Sequence, residues 1–158
     1  LGVQVRTGVH RELAGLCPLG VASREGRKEE RMHPNEQVLR DADEAQLRGD
    51  FEAFSAFFTD DVTVHIAGKS SFAGVYEGKE QFLGLFGRFV ERAGEYTFEP
   101  HAYFADDEHG VELLRSHYKR GDETLDSNDT LVCHFRDGKI SEFWLSSEDN
   151  DAVDAFLG

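Results

Sequence analysis

The chain has 158 residues, the size of one domain, and its 31 Asp and Glu against 17 Lys and Arg give a net charge of −14. That balance repels phosphate backbones and excludes nucleic acid as a partner class. No apolar run approaches the roughly 20 residues that span a bilayer, so no membrane partner is expected. Two cysteines, Cys17 and Cys133, are too few for a secreted disulfide scaffold and fit a reduced, cytoplasmic compartment.

Residues 1–31 net +2, leaving −16 for the remainder, and carry no Trp, Phe or Tyr and no sustained periodicity. They read as a disordered or artefactual N-terminal extension. The domain is expected over residues 32–158, with Met32 directly before its first helix. Pro34 precedes Asn35, a good N-cap, and Val38, Leu39, Ala42 and Ala45 form an apolar stripe that Gly49 ends. Asp50 caps a short helix with Phe51, Phe54, Phe57 and Phe58 facing inward.

Val62, Val64 and Ile66 alternate with Thr63 and His65, the period of a half-buried strand. The glycines and serines between Gly68 and Gly78 mark a loop. Phe82, Leu85, Phe86, Phe89 and Val90 then share one helix face. Gly84 and Gly87 inside that helix each cost about 1 kcal/mol relative to alanine, which predicts close packing against a neighbouring backbone.

Four strands follow. In the first, Tyr96, Phe98, Ala102 and Phe104 share a phase, and Pro100 predicts a bulge or an edge. The next two are Val111–Lys119 and Thr124–Arg136, and Asp137-Gly138 matches a two-residue hairpin into Ile140–Ser146. Val153, Phe156 and Leu157 define a terminal helix. Helices followed by antiparallel strands predict an α+β fold with a curved sheet wrapped over the long helix.

His65-Ile66-Ala67-Gly68, Phe72 to Gly78, Asp137 to Ile140 and Glu142-Phe143-Trp144, in this order of elements, resemble the SnoaL-like branch of the nuclear transport factor 2-like superfamily, which includes ketosteroid isomerases and polyketide cyclases. The resemblance covers about Asn35 to Leu157. It implies a cone-shaped α+β barrel of the cystatin-like kind, with an apolar cavity, no cofactor, and homodimers packed through the sheet. The steroid isomerase pattern departs at Leu131, where a hydrogen-bond-donating acid would stand. The limonene epoxide hydrolase pattern keeps Arg115 but has His117 and Ser146 at its aspartate positions.

His65 is a candidate acid–base group, because an imidazole titrates near neutral pH, while its strict alternation with Val64 and Ile66 favours the opposite strand face, hydrogen-bonded to a loop carbonyl. Arg115 and His117 lie two apart on one strand face, and Asp129, Leu131 and Cys133 share a face of the next strand. If both faces point inward, Asp129 either pairs with Arg115 as a structural ion pair between neighbouring strands, or orients His117 while Arg115 holds a substrate oxyanion. Phe86, Leu131, Cys133, Tyr76 and Trp144 are expected to line the pocket. Gly68-Lys69-Ser70 fails as a phosphate loop, since Thr63 stands where the first glycine is needed. The histidines lack metal-ligand spacing, so no metal is expected. The function expected is a pocket for a small hydrophobic molecule, in a cofactor-free isomerase, cyclase or hydrolyase acting on a cyclic ketone. The alternative is a non-catalytic ligand-binding or dimerisation module.

Overall fold

The computed structural model describes residues 32–158, and the expectation for residues 1–31 lies outside them. The elements run α1 (Pro34–Leu47), α2 (Phe51–Ala56), β1 (Phe58–Ile66), β2 (Gly74–Glu77), α3 (Lys79–Ala93), β3 (Glu95–Ala105), β4 (His109–Arg120), β5 (Glu123–Arg136), β6 (Lys139–Ser147) and α4 (Asn150–Leu157). Six strands form one sheet in the order β2-β1-β6-β5-β4-β3. All neighbours are antiparallel except β1 and β6, which run parallel. The α+β fold is as the order of elements predicts, and its sheet is mixed.

Local chemistry sets the boundaries. Pro34 is the first residue inside α1, and His33 rather than Asn35 caps it, Nδ1 accepting from the Asn35 N–H at 3.2 Å. The Asn35 amide instead donates to the carbonyls of Asp106 and Asp107 at 2.9 and 3.1 Å, tying α1 to the β3–β4 turn. Asp50 and Asp149 cap α2 and α4, accepting from Ala53 and Ala152. Asp137 and Gly138 both have positive φ, at 53° and 72°, which is the backbone a two-residue turn requires.

Other expectations are corrected. The stretch read wholly as loop contains β2, whose Val75 and Glu77 are exposed because it is an edge strand with one neighbour. Pro100 does mark a register shift, but the shift reverses the phase of β3 beyond it. Tyr96 and Phe98 therefore face inward, as does Tyr103, while Phe104 is 60% exposed. Gly84 and Gly87 touch nothing, since an added Cβ would meet no atom within 4 Å at either. Gly84→Ala and Gly87→Ala are therefore expected to raise stability, each by about 1 kcal/mol in urea denaturation.

The helices cover one face of the sheet. Phe54, Phe58, Phe82 and Phe143 meet there edge-on or tilted, with ring centroids 4.9 to 6.0 Å apart. Phe51, expected inside, is exposed and lies edge-on to Phe86. A second cluster gathers Phe72, Leu85, Tyr118, Phe156 and Leu157.

Candidate functional site

Between sheet and helices lies a cavity of about 160 Å³, walled by rings that include Phe54, Phe58, Phe82, Phe98 and Tyr118. A cavity of roughly this size admits a benzene-sized molecule. Two acids, Asp43 and Glu112, meet in its largely apolar wall, and a third, Asp154, lines it from α4. Asp43 comes from α1, where it stands four residues after Leu39 on the buried face. Glu112 comes from β4, in the same inward phase as Leu114, Ser116 and Tyr118.

The acids hydrogen-bond to one another. Glu112 is 2% exposed, and its Oε1 has no partner. Burial and the proton shared with Asp43 push the Glu112 carboxyl up to about 10. Burial also raises Asp43, opposed by hydrogen bonds from Glu112 and Tyr103 and by the charge of Arg40. The Tyr103 hydroxyl donates to Asp43 Oδ2 at 2.7 Å, and the Arg40 guanidinium lies 4.3 Å from the centre of the Tyr103 ring. At neutral pH Glu112 therefore keeps its proton, directed toward Asp43, whose own hold on a proton is raised by the same burial. Such a pair can give a proton to one atom and take one from another.

The α4 side of the cavity is latched. The Asp154 carboxylate accepts the backbone N–H groups of Lys69 and Ser70 at 2.5 and 2.9 Å. Burial pushes Asp154 up, but these bonds outweigh it and hold the group below its ordinary range. Gly68 makes the approach possible, because its φ is +116° and a Cβ there would lie 2.5 Å from Asp154 Oδ1.

The expected polar residues are placed differently. His65 stands on the outer sheet face, bonded through Nε2 to Glu142 at 2.8 Å and stacked on Trp144 with centroids 4.8 Å apart. Arg115 and His117 also point outward, because β4 alternates and its inward phase belongs to Glu112 and its apolar neighbours. His117 does pair with an aspartate, but with the exposed Asp126, at 2.6 Å. Asp129 faces inward beneath the cavity wall, accepting from Ser116 and Ser127 at 2.6 Å each. Of the expected lining residues, Phe86 and Leu131 line the cavity. Trp144 is on the outer face, Cys133 is buried in the core, and Tyr76 packs beside the wall with its hydroxyl on the Phe72 carbonyl at 2.8 Å. Burial pushes the Cys133 thiol up to about 12, so it is inert at neutral pH. Among the described residues no cluster is arranged to hold a metal ion, and no helix is long and apolar enough to cross a membrane.

The SnoaL-like domain family matches residues 39–143, about two thirds of the chain. The chain belongs to the SnoaL-like domain family. No curated protein matches it. Among solved structures, Bal32a from a soil-derived mobile gene cassette is similar at 24% identity and a TM-score of 0.75, over 79% of this chain and 97% of that one. A nuclear transport factor 2-like protein of unknown function from Burkholderia pseudomallei matches at 18% and 0.73, over 80% and 98%. A proposed SnoaL-like polyketide cyclase from Jannaschia sp. CCS1 matches at 14% and 0.67, over 78% and 91%. At these identities the likeness shows the cone-shaped α+β fold alone.

In this SnoaL-like chain the paired acids of the cavity, Asp43 and Glu112, are not among the residues expected from the sequence. The signal was present. Asp43 falls inside the stripe set by Leu39, Ala42 and Ala45, and Glu112 falls in phase with Leu114 and Tyr118. A carboxylate on a buried face needs a reason.

Proposed function

We propose that this SnoaL-like protein is a cofactor-free isomerase or cyclase that moves protons on a small, ring-containing carbonyl compound at Asp43 and Glu112. The observation that carries the reading is the buried pair of acids, Asp43 and Glu112, in the wall of an aromatic cavity, with Glu112 Oε1 left without a partner. The Asp43 carboxylate takes a proton from the carbon next to a carbonyl. As electrons move onto the carbonyl oxygen, Glu112 gives that oxygen its proton, so an enol and a neutral Asp43 result. Returning a proton from Asp43 to another carbon, while the enol O–H returns its proton to Glu112, completes an isomerisation. Tyr103 keeps Asp43 aimed, and the rings exclude water, which strengthens each of these interactions.

The test is proton–deuterium exchange in a panel of single-ring ketones, followed by NMR in D₂O. The native protein is expected to catalyse exchange beside the carbonyl, and Asp43→Asn to lower the rate by about 10² to 10⁴. His117→Gln is expected to leave it unchanged. Binding without exchange would instead favour the ligand-binding module.

The reading includes a cytoplasmic homodimer paired through the outer sheet face. Exposed Val75, Phe104 and Val132, together with the His65–Trp144 stack, support that surface.

A further inference from the structure

Asp129 has no part in the chemistry above, yet it is 4% exposed, and among the described residues no cation is paired with it. A buried carboxylate without a cation is expensive unless hydroxyl or N–H donors hold it. Two do here. Ser116, 0% exposed, donates to Oδ2 at 2.6 Å, and Ser127 donates to Oδ1 at 2.6 Å. Ser116 in turn touches the cavity wall, because Tyr96 Oη lies 3.4 Å from its Oγ, and Tyr118 stands beside Tyr96. Both tyrosines line the cavity and are register partners on β3 and β4.

The direction of these bonds follows from counting protons. A serine hydroxyl has one, and that of Ser116 is committed to Asp129. In the contact with Ser116 the Tyr96 phenol is therefore the donor. Its oxygen keeps lone pairs for the cavity and has no proton to offer. Burial and the negative charge of Asp129, opposed by the Ser116 bond, keep that phenol protonated far above neutral pH. None of the described residues lining the cavity is Lys, Arg or His, so an anionic ligand has no counter-charge there.

We propose that Tyr96, backed by Ser116 and Asp129, is a hydroxyl-recognising subsite of the cavity, which makes the ligand a neutral ring compound bearing a phenolic or enolic O–H. A ligand hydroxyl donates to Tyr96, Tyr96 donates to Ser116, and Ser116 donates to Asp129. Each bond polarises the next. The resting 3.4 Å contact shortens when the ligand loads the far end of the chain. Ser116 and Asp129 are positioning residues, and Tyr96 is the group that touches the ligand. The inference rests on the proposed reading that the cavity is the ligand site.

The experiment uses ¹⁹F NMR titrations with 4-fluorophenol, the near-isosteric 4-fluorotoluene, and 4-fluorobenzaldehyde as an acceptor-only ring. Wild type is compared with Tyr96→Phe, Ser116→Ala and Asp129→Asn. The affinity ratio of the phenol to the toluene is expected to fall about tenfold in each variant, which is the loss of about one hydrogen bond. The toluene affinity itself is expected to stay within about twofold, whereas a merely structural role would move all three probes together. The benzaldehyde-to-toluene ratio is also expected to hold. An unchanged phenol-to-toluene ratio in Tyr96→Phe, or a benzaldehyde ratio that falls with it, overturns the subsite while leaving the cavity intact. Failure of all three probes to bind wild type overturns the cavity reading itself. If Asp129→Asn does not fold, the other two variants decide.

Discussion

Glu112→Gln is expected to become more stable than the native protein as pH rises. A carboxyl raised to about 10 in the fold binds its proton where the unfolded chain, with an ordinary glutamate near 4.5, has released it. The sign follows directly. Below the unfolded value both states are protonated and the group costs nothing. Above it the unfolded state gains by ionising and the folded state does not. Stability is therefore full at low pH and falls by about 1.4 kcal/mol per pH unit until the folded value is passed. Glutamine cannot ionise, and its amide can still donate to Asp43. Urea denaturation from pH 5 to pH 9 should show the two proteins nearly equal at the acid end and diverging steadily above it. The net charge of −14 also erodes stability at high pH, but it does so almost equally in both proteins, so the difference isolates residue 112. Parallel profiles would show that Glu112 ionises in the fold as it does in water.

Phe82→Ala is expected to cost about 3–5 kcal/mol, the range for removing a buried aromatic ring and leaving a void. Phe82 lies between Phe54, Phe58 and Phe143 with centroids 4.9 to 6.0 Å away, and it also forms part of the cavity wall. The lost ring therefore enlarges a space already present, and the melting temperature should fall on the order of 10–15 °C. Leu47→Ala is the control. Its side chain is half exposed at the end of α1, and the change should stay within about 0.5 kcal/mol. Comparable losses at both positions would contradict the placement of Phe82 in the core.

Much of the fold was legible because short-range chemistry fixes it. Asp137-Gly138 demanded a tight hairpin, Pro100 demanded a bulge or an edge, and the cap at Asp50 opened its helix. Strand β2 was hidden because an edge strand of four residues with a solvent-facing side lacks the apolar alternation that marks a buried one.

The site was harder to read, because alternation gives two phases and does not say which faces the core. On β4 one phase offered Arg115 and His117, the residue types associated with catalysis, and the other offered Glu112 and Ser116 between Leu114 and Tyr118. The apolar companions mark the inward phase. Histidines and arginines instead collect on the outer face, where water and paired carboxylates such as Glu142 and Asp126 satisfy them. The Asp43–Glu112 contact joins residues from a helix and a distant strand, and no local spacing announces it.

The most direct measurement is the ¹³C NMR titration of the carboxyl carbons in protein labelled at Glu and Asp, with Glu112→Gln to assign the signal. Glu112 is expected to stay protonated through pH 7 and to ionise near pH 10, its curve coupled to that of Asp43. A simple titration in the ordinary glutamate range would contradict a proton held inside the cavity.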